Sequence, residues 1–221
     1  MSGIRLGADC LSTYEEGIKR EWIIGNGLGG YASSTVIGAG TRTYHGLLVA
    51  APENSPGRFV LLSSLDEEIS TDEEIYKLAV HKFTDTVSPT GFNCLSEYIQ
   101  NPFPLWVYQP GDFTVKKKVF MIHNSNTTCI LYDIESRKEE ALLRVFPLVN
   151  SRDFHYTARS GYLSFSQKAH PEGVELESSN GFTFSLSSNL EYHSDPRWYY
   201  NLEYDAEKQR GLNYQEDNFS P

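Results

Sequence analysis

The chain is short of cysteine, of positive charge and of long apolar runs, and each shortage closes a class of function. Cys10, Cys94 and Cys129 are an odd set with no close pair. They supply neither a disulfide framework nor a Cys-x-x-Cys metal knuckle, and they suit a reducing compartment. Against 29 Asp and Glu there are only 19 Lys and Arg, giving a net charge of −10. That balance opposes nucleic-acid phosphates and anionic membranes, so neither is an expected partner. No run approaches the roughly 18 apolar residues of a membrane span, and the opening residues have no apolar core of signal-peptide length. A cytoplasmic protein is expected, in which the sequons at Asn126 and Asn218 are chance matches. The histidines, at 45, 81, 123, 155, 170 and 193, show no i, i+4 or His-x-His spacing, and no Gly-x-Ser-x-Gly elbow occurs. Metal and serine-nucleophile chemistry therefore lack support, and no cofactor is implied.

What the chain has in excess is aromatic side chains, with 14 Tyr, 12 Phe and 3 Trp. A β-rich core explains most of them, and stacking on sugar rings is the sharper use of a few. Short apolar runs recur with turn signals at intervals of about 8 to 12 residues, the pattern of a sandwich or barrel. Arg42 to Ala51 reads as a strand with Arg42 and Tyr44 on one face and His45 on the other. Arg58 to Ser64 returns as its hairpin partner after the Pro52–Gly57 turn. Residues 1 to 20 read as a lead-in strand and turn. Asp66-Glu67-Glu68 and Asp72-Glu73-Glu74 read as solvated loops or edges. Pro102 to Gln109 reads as an edge strand or bulge. Phe113 to His123 exchanges polar and apolar faces midway, which suggests a bulge or a strand moving between sheets. Thr127 to Ile134 and Glu140 to Val149 are strands joined by a charged turn over 135–139. Ser178-Ser179-Asn180-Gly181 signals a hairpin, and Asn201 to Asn213 has the charge mixture of a surface helix. The expected fold is all-β, a large two-sheet, mostly antiparallel sandwich with little helix. With no repeat or linker, residues 1–221 count as a single domain.

One stretch is not explained by packing. Seven glycines fall between Gly25 and Gly46, beside Trp22, Tyr31, Arg42, Tyr44 and His45. The spacing Gly25-x-Gly27-x-x-Gly30 matches the dinucleotide fingerprint, which needs a helix opening at the third glycine. Here Tyr31-Ala32-Ser33-Ser34-Thr35-Val36 follows, β-branched and hydroxylated, which argues against a helix. Glycine also tolerates positive φ and close approach, so the segment reads as a shaped loop presenting large polar groups.

The run Glu21-Trp22-Ile23-Ile24 through Tyr31-Ala32, with Thr41-Arg42-Thr43-Tyr44-His45-Gly46-Leu47-Leu48-Val49-Ala50, resembles the N-terminal domain of bacterial and archaeal type glycogen debranching enzymes, the amylo-α-1,6-glucosidase family. Arg144–His155 and Asn201–Asp217 resemble it too. Where the family has two arginines before the tyrosine, this chain has Arg42-Thr43. The resemblance implies a β-supersandwich preceding an (α/α) catalytic barrel. The barrel, expected to carry the catalytic carboxylates, would lie outside this chain, whose end looks like a domain boundary. The implied substrate is a glycogen-like α-glucan with α-1,6 branches, and the implied partner is the chain's own catalytic domain. Asn26, Tyr31, Arg42, Tyr44 and His45 are the candidate substrate-binding residues, at the wall of the glucan cleft. No catalytic residue is assigned, and Asp153, between Arg152 and His155, reads first as a salt bridge or turn-fixing group. Two alternatives stand beside this: a purely structural interdomain packing role, and a carbohydrate-binding module using Trp22, Trp106 and Trp198-Tyr199-Tyr200.

Overall fold

Period-two alternation becomes antiparallel pairing almost wherever the sequence carries it. The computed structural model describes residues 3–53, 55–136 and 140–221. In chain order the elements are β1 (Ile4–Leu6), α1 (Ala8–Leu11), α2 (Tyr14–Gly17), β2 (Glu21–Gly25), β3 (Tyr31–Thr35), β4 (Gly46–Ala50), β5 (Phe59–Ser70), β6 (Ile75–Lys77), β7 (Val80–Phe83), β8 (Thr86–Thr90), β9 (Leu95–Gln100), β10 (Pro104–Tyr108), β11 (Phe113–Met121), β12 (Thr128–Ser136), β13 (Leu142–Asp153), β14 (Phe165–His170), β15 (Gly173–Ser178), β16 (Thr183–Ser187), β17 (Arg197–Glu203), α3 (Asp205–Gln209) and β18 (Gln215–Ser220). The larger sheet runs β17-β18-β13-β5-β4-β3-β2 with β6 beside β5, and a five-stranded sheet runs β1-β9-β10-β11-β12. Smaller sheets are β14-β15-β16 and β7-β8. No helix of the described residues is long and apolar enough to cross a membrane.

The two larger sheets bury their inner faces in one core. Trp22, Ala32, Leu47, Leu62 and Ile69 from one meet Leu95, Tyr98, Trp106, Val115 and Val119 from the other. Trp22 and Trp106 pack edge to face at 5.2 Å, and Trp106 donates its indole N–H to the Val36 carbonyl at 2.7 Å. Both are 3% exposed, which removes them as sugar platforms. Trp198 packs against Phe165 and Phe219. The expected all-β sandwich is what forms.

Several local expectations change. Residues 1 to 20 contain two helical turns after the lead-in strand, the second capped by Thr13 on the Glu16 amide. Asp66-Glu67-Glu68 is not a solvated edge: β5 carries it through the sheet, and each acid has its own base. Asp66 meets His81 at 2.7 Å, Glu67 meets Lys117 at 2.5 Å, and Glu68 meets Lys77 at 3.0 Å. The second acidic run is an exposed turn, as expected. β10 is not an edge, since β9 and β11 flank it; its register shift near Val107 is the expected bulge. β11 neither bulges against β12 nor changes sheet. Lys117 simply stays on the buried face, made tolerable by Glu67. The β15–β16 hairpin forms at Asn180-Gly181. The helix near Asn201 is one short segment, α3, after β17, and it buries Glu207. Asn54 of the Pro52–Gly57 turn, and Arg137, Lys138 and Glu139 of the charged turn, lie outside the described residues.

Candidate functional site

The glycine stretch is the β2–β3 hairpin and its loop. β3 starts directly after Gly30, so no helix opens there and the pyrophosphate reading has no structural basis. Gly27 and Gly29 take φ of +88° and +92°, the left-handed region that side chains resist. Asn26 organises the loop. It is fully buried; its Nδ2 donates to the Ser125 carbonyl and to Asn126 Oδ1, both at 3.0 Å, while its Oδ1 accepts the Leu28 amide at 2.9 Å. Asn126 in turn exchanges two hydrogen bonds with the Ala51 backbone. Gly30 is required by this lock, because a Cβ there would lie 2.6 Å from Asn26 Nδ2. Asn26 is thus placed to hold the loop, with its polar atoms already used.

Arg42 to His45 is a turn, not the start of a strand: His45 N–H donates to the Arg42 carbonyl at 3.1 Å, and β4 begins at Gly46. The expected facing is therefore reversed. Arg42 and His45 share Glu21, at 2.7 and 3.5 Å, while Tyr44 points elsewhere. His45 Nδ1 accepts the Thr41 amide at 3.1 Å, which leaves the ring proton on Nε2, facing Glu21. The hydrogen bond from His45, then that from Arg42, outweigh burial and hold the Glu21 carboxyl down at about 2. His45 is buried, whereas Arg42 and Glu21 are each more than a third exposed.

Tyr44 lies edge-on to Phe154 at 5.2 Å and to His155 at 5.7 Å. Arg58 sits over Phe154 and donates to the Gly29 carbonyl. The glycine loop, Arg58, Phe154, His155 and Tyr44 thus form one continuous ridge. Tyr31 stands behind it, its hydroxyl donating to the Tyr44 carbonyl at 2.8 Å; burial pushes the phenol up to about 12. Asp153 is the turn-fixing group expected, accepting from the His155 amide at 2.9 Å and its ring at 3.0 Å. Arg152 turns away from it to a buried pair with Glu216.

Underneath, three segments far apart in sequence are bolted together. The Glu207 carboxylate accepts the Thr43 amide at 3.2 Å and pairs with Arg210 at 3.1 Å. Thr43 stands where the resemblance leads one to expect a second arginine, and Arg210 brings a cation to the same carboxylate. Arg152 pairs bidentately with Glu216, and Tyr204 joins both. Burial opposes the Arg152 charge, but Glu216 outweighs it and keeps the guanidinium firmly protonated. Sequence reasoning missed Glu21, Arg58, Phe154, Glu207 and Glu216 as parts of this arrangement. For all but Arg58, which lies outside them, the one advance signal was position inside the three family-like segments. Among the described residues, no cluster of His, Cys, Asp or Glu is placed to hold a metal ion.

The Glu21 carboxyl, held down by His45 and Arg42, suits binding and positioning but not proton donation, since a general acid needs a raised pKa. Neither the curated proteins nor the solved structures gave a match to this chain. The family described as "Glycogen debranching enzyme N terminal" matches residues 20–221, a span that includes the hairpin, the turn, the ridge and the buried pairs beneath them. The chain therefore belongs to the glycogen debranching enzyme N-terminal family.

Proposed function

We propose that this chain is the N-terminal β-domain of a cytoplasmic enzyme that hydrolyses α-1,6 branch linkages in a glycogen-like α-glucan. Residues 1–221 act as one domain that docks on a separate catalytic domain and forms part of the glucan cleft wall. The observation that carries this reading is the convergence of the three segments on one surface. Tyr44 meets His155, Thr43 meets Glu207, and Arg152 meets Glu216. These contacts include one buried ion pair, Arg152–Glu216, whose part is less to add net stability than to fix which elements meet. Here they support a turn and ridge that leave Arg42, Tyr44 and His155 at the surface, the property wanted of a preorganised wall. Arg42 and Tyr44 make the sugar or domain contacts, while Asn26, Tyr31 and His45 shape the wall from behind.

The test uses the full-length protein with its catalytic domain. Arg42→Ala should lower the rate on branched glucan by tenfold or more, roughly the loss expected for one displaced polar contact, with little change in melting temperature. An unchanged rate would remove the cleft-wall role. A structural role is the second reading, favoured by the Glu21 partner that Arg42 already has. In that case Arg42→Ala would weaken domain docking and yield, while the rate per folded molecule would hold.

A further inference from the structure

An open cleft of about 590 Å3 lies between residues 157–163, the β15–β16 turn and the connection from α3 to β18. That volume falls within the range of small-ligand sites. Two cations line it, and both are already neutralised. Arg152 is paired with Glu216. Arg159 Nη1 lies 3.1 Å from Asp217 and 2.8 Å from Asn201 Oδ1, and its Nη2 donates to Gln215 Oε1 at 2.9 Å. Among the described residues, no carboxylate lines the cleft. An anionic ligand would find no unpaired cation there, and a cationic ligand no acid.

What remains is neutral and amphipathic. Tyr162, on the wall, is 91% exposed, the most exposed of the large hydrophobic side chains described. It sits on a short 3-10 turn that Asp217 anchors from below by accepting the Ser160 amide at 3.1 Å. Its ring is left in water by a rigid base, so no packing need explains it. Tyr214, on the same lining, is held by Lys208, whose ammonium lies 4.9 Å from the ring centre and is itself fixed by Glu203 at 2.8 Å. Thr157 and Asn213 add a hydroxyl and an amide. Aromatic faces beside hydroxyl and amide groups, with every charge cancelled, match a pyranose: C–H faces for the rings, hydroxyls for the polar edges.

We propose that this cleft binds a neutral oligosaccharide, with Tyr162 as the stacking platform and Thr157, Asn213 and Tyr214 as hydroxyl partners. The choice of an α-glucan as the sugar rests on the function proposed above; the neutral, stacking character of the site does not. Titration of the 221-residue chain with maltoheptaose, followed by calorimetry and by tyrosine fluorescence, tests it. Saturable binding at millimolar sugar is expected. Tyr162→Ala should weaken it roughly five- to tenfold, as loss of one aromatic contact implies, and Tyr162→Phe should preserve it. Tyr162 is a surface residue, and coincident far-ultraviolet spectra and melting curves establish that the variants fold. No saturable binding, or binding indifferent to Tyr162→Ala, overturns the proposal. So does finding that Tyr162→Ala loosens the catalytic domain without affecting sugar, which would assign the cleft to a protein contact. A debranching rate indifferent to Arg42→Ala bears on the cleft-wall role alone.

Discussion

Arg42 Nε donates to Glu21 Oε1 at 2.7 Å, tying the turn that precedes β4 to the first residue of β2. His45 faces the same oxygen from its buried position. The Glu21 carboxyl is thereby depressed from 4.5 to about 2, through His45 first and Arg42 second, against the opposing effect of burial.

The sign of the pH effect follows. A depressed folded-state pKa gives stability that is present above the unfolded value and lost as pH falls from 4.5 toward 2. Glu21 is more than a third exposed, so solvent screening limits the effect to about 1 kcal/mol at most. Melting temperature should fall more steeply on acidification in the wild type than in Glu21→Gln. Parallel acid limbs would show that the pair contributes nothing.

The glycine loop yields a sharper test. Asn26 is fully buried and its Nδ2 faces two carbonyl-type oxygens, on Ser125 and Asn126. Asn26→Ala removes the donor and should destabilise by about 1–3 kcal/mol. Asn26→Asp keeps the shape but puts acceptor against acceptor, and Asn126 cannot flip to help without breaking both of its bonds to Ala51. Urea denaturation should therefore rank Asn26→Asp below Asn26→Ala. Gly30→Ala, whose Cβ would press on the same amide, should resemble Asn26→Ala. A neutral Gly30→Ala would contradict the lock.

These residues show what a sequence can and cannot convey. Period-two patterning and turn residues located the strands, because alternation is a local property of one chain segment. The role of Asn26 was not legible, because its partners lie about a hundred positions away, near Asn126. The facing of Arg42, Tyr44 and His45 failed for a different reason. Apolar Leu47 to Ala50 extended the strand pattern backwards over a turn that is closed by the His45–Arg42 backbone bond and held by the His45–Thr41 and Thr43–Glu207 hydrogen bonds. The acidic run in β5 failed because charge counting sees the acids and not the cations that neighbouring strands bring to them.

That run supplies a second stability test. Glu67 is 2% exposed, and it accepts from Tyr132 at 2.5 Å and pairs with Lys117 at 2.5 Å. Lys117→Met removes one partner and leaves a buried carboxylate uncompensated, a loss of about 3–5 kcal/mol. Adding Glu67→Leu removes the stranded charge, so the double variant should be more stable than Lys117→Met alone. Additive losses in a double-mutant cycle measured by urea unfolding would show that the two side chains do not interact.

His81 and Asp66 sit 2.7 Å apart, and His81 is almost wholly buried. Burial disfavours the imidazolium, but Asp66 outweighs it by charge and hydrogen bond and raises the His81 pKa above 6.5. A raised folded-state pKa gives stability that is complete below the unfolded value and lost as pH rises through the folded one. This limb runs opposite to that of Glu21: the first weakens the fold in acid, the second from neutral pH upward. Asp66→Asn keeps the size of the side chain and removes its charge, so the urea midpoint of the variant should change less than that of the wild type between about pH 6 and pH 9. The His81 ring resonances, followed by NMR, should titrate at lower pH in the variant. If the wild-type ring titrates at or below its ordinary value, burial has won over Asp66 and the alkaline limb belongs to another group.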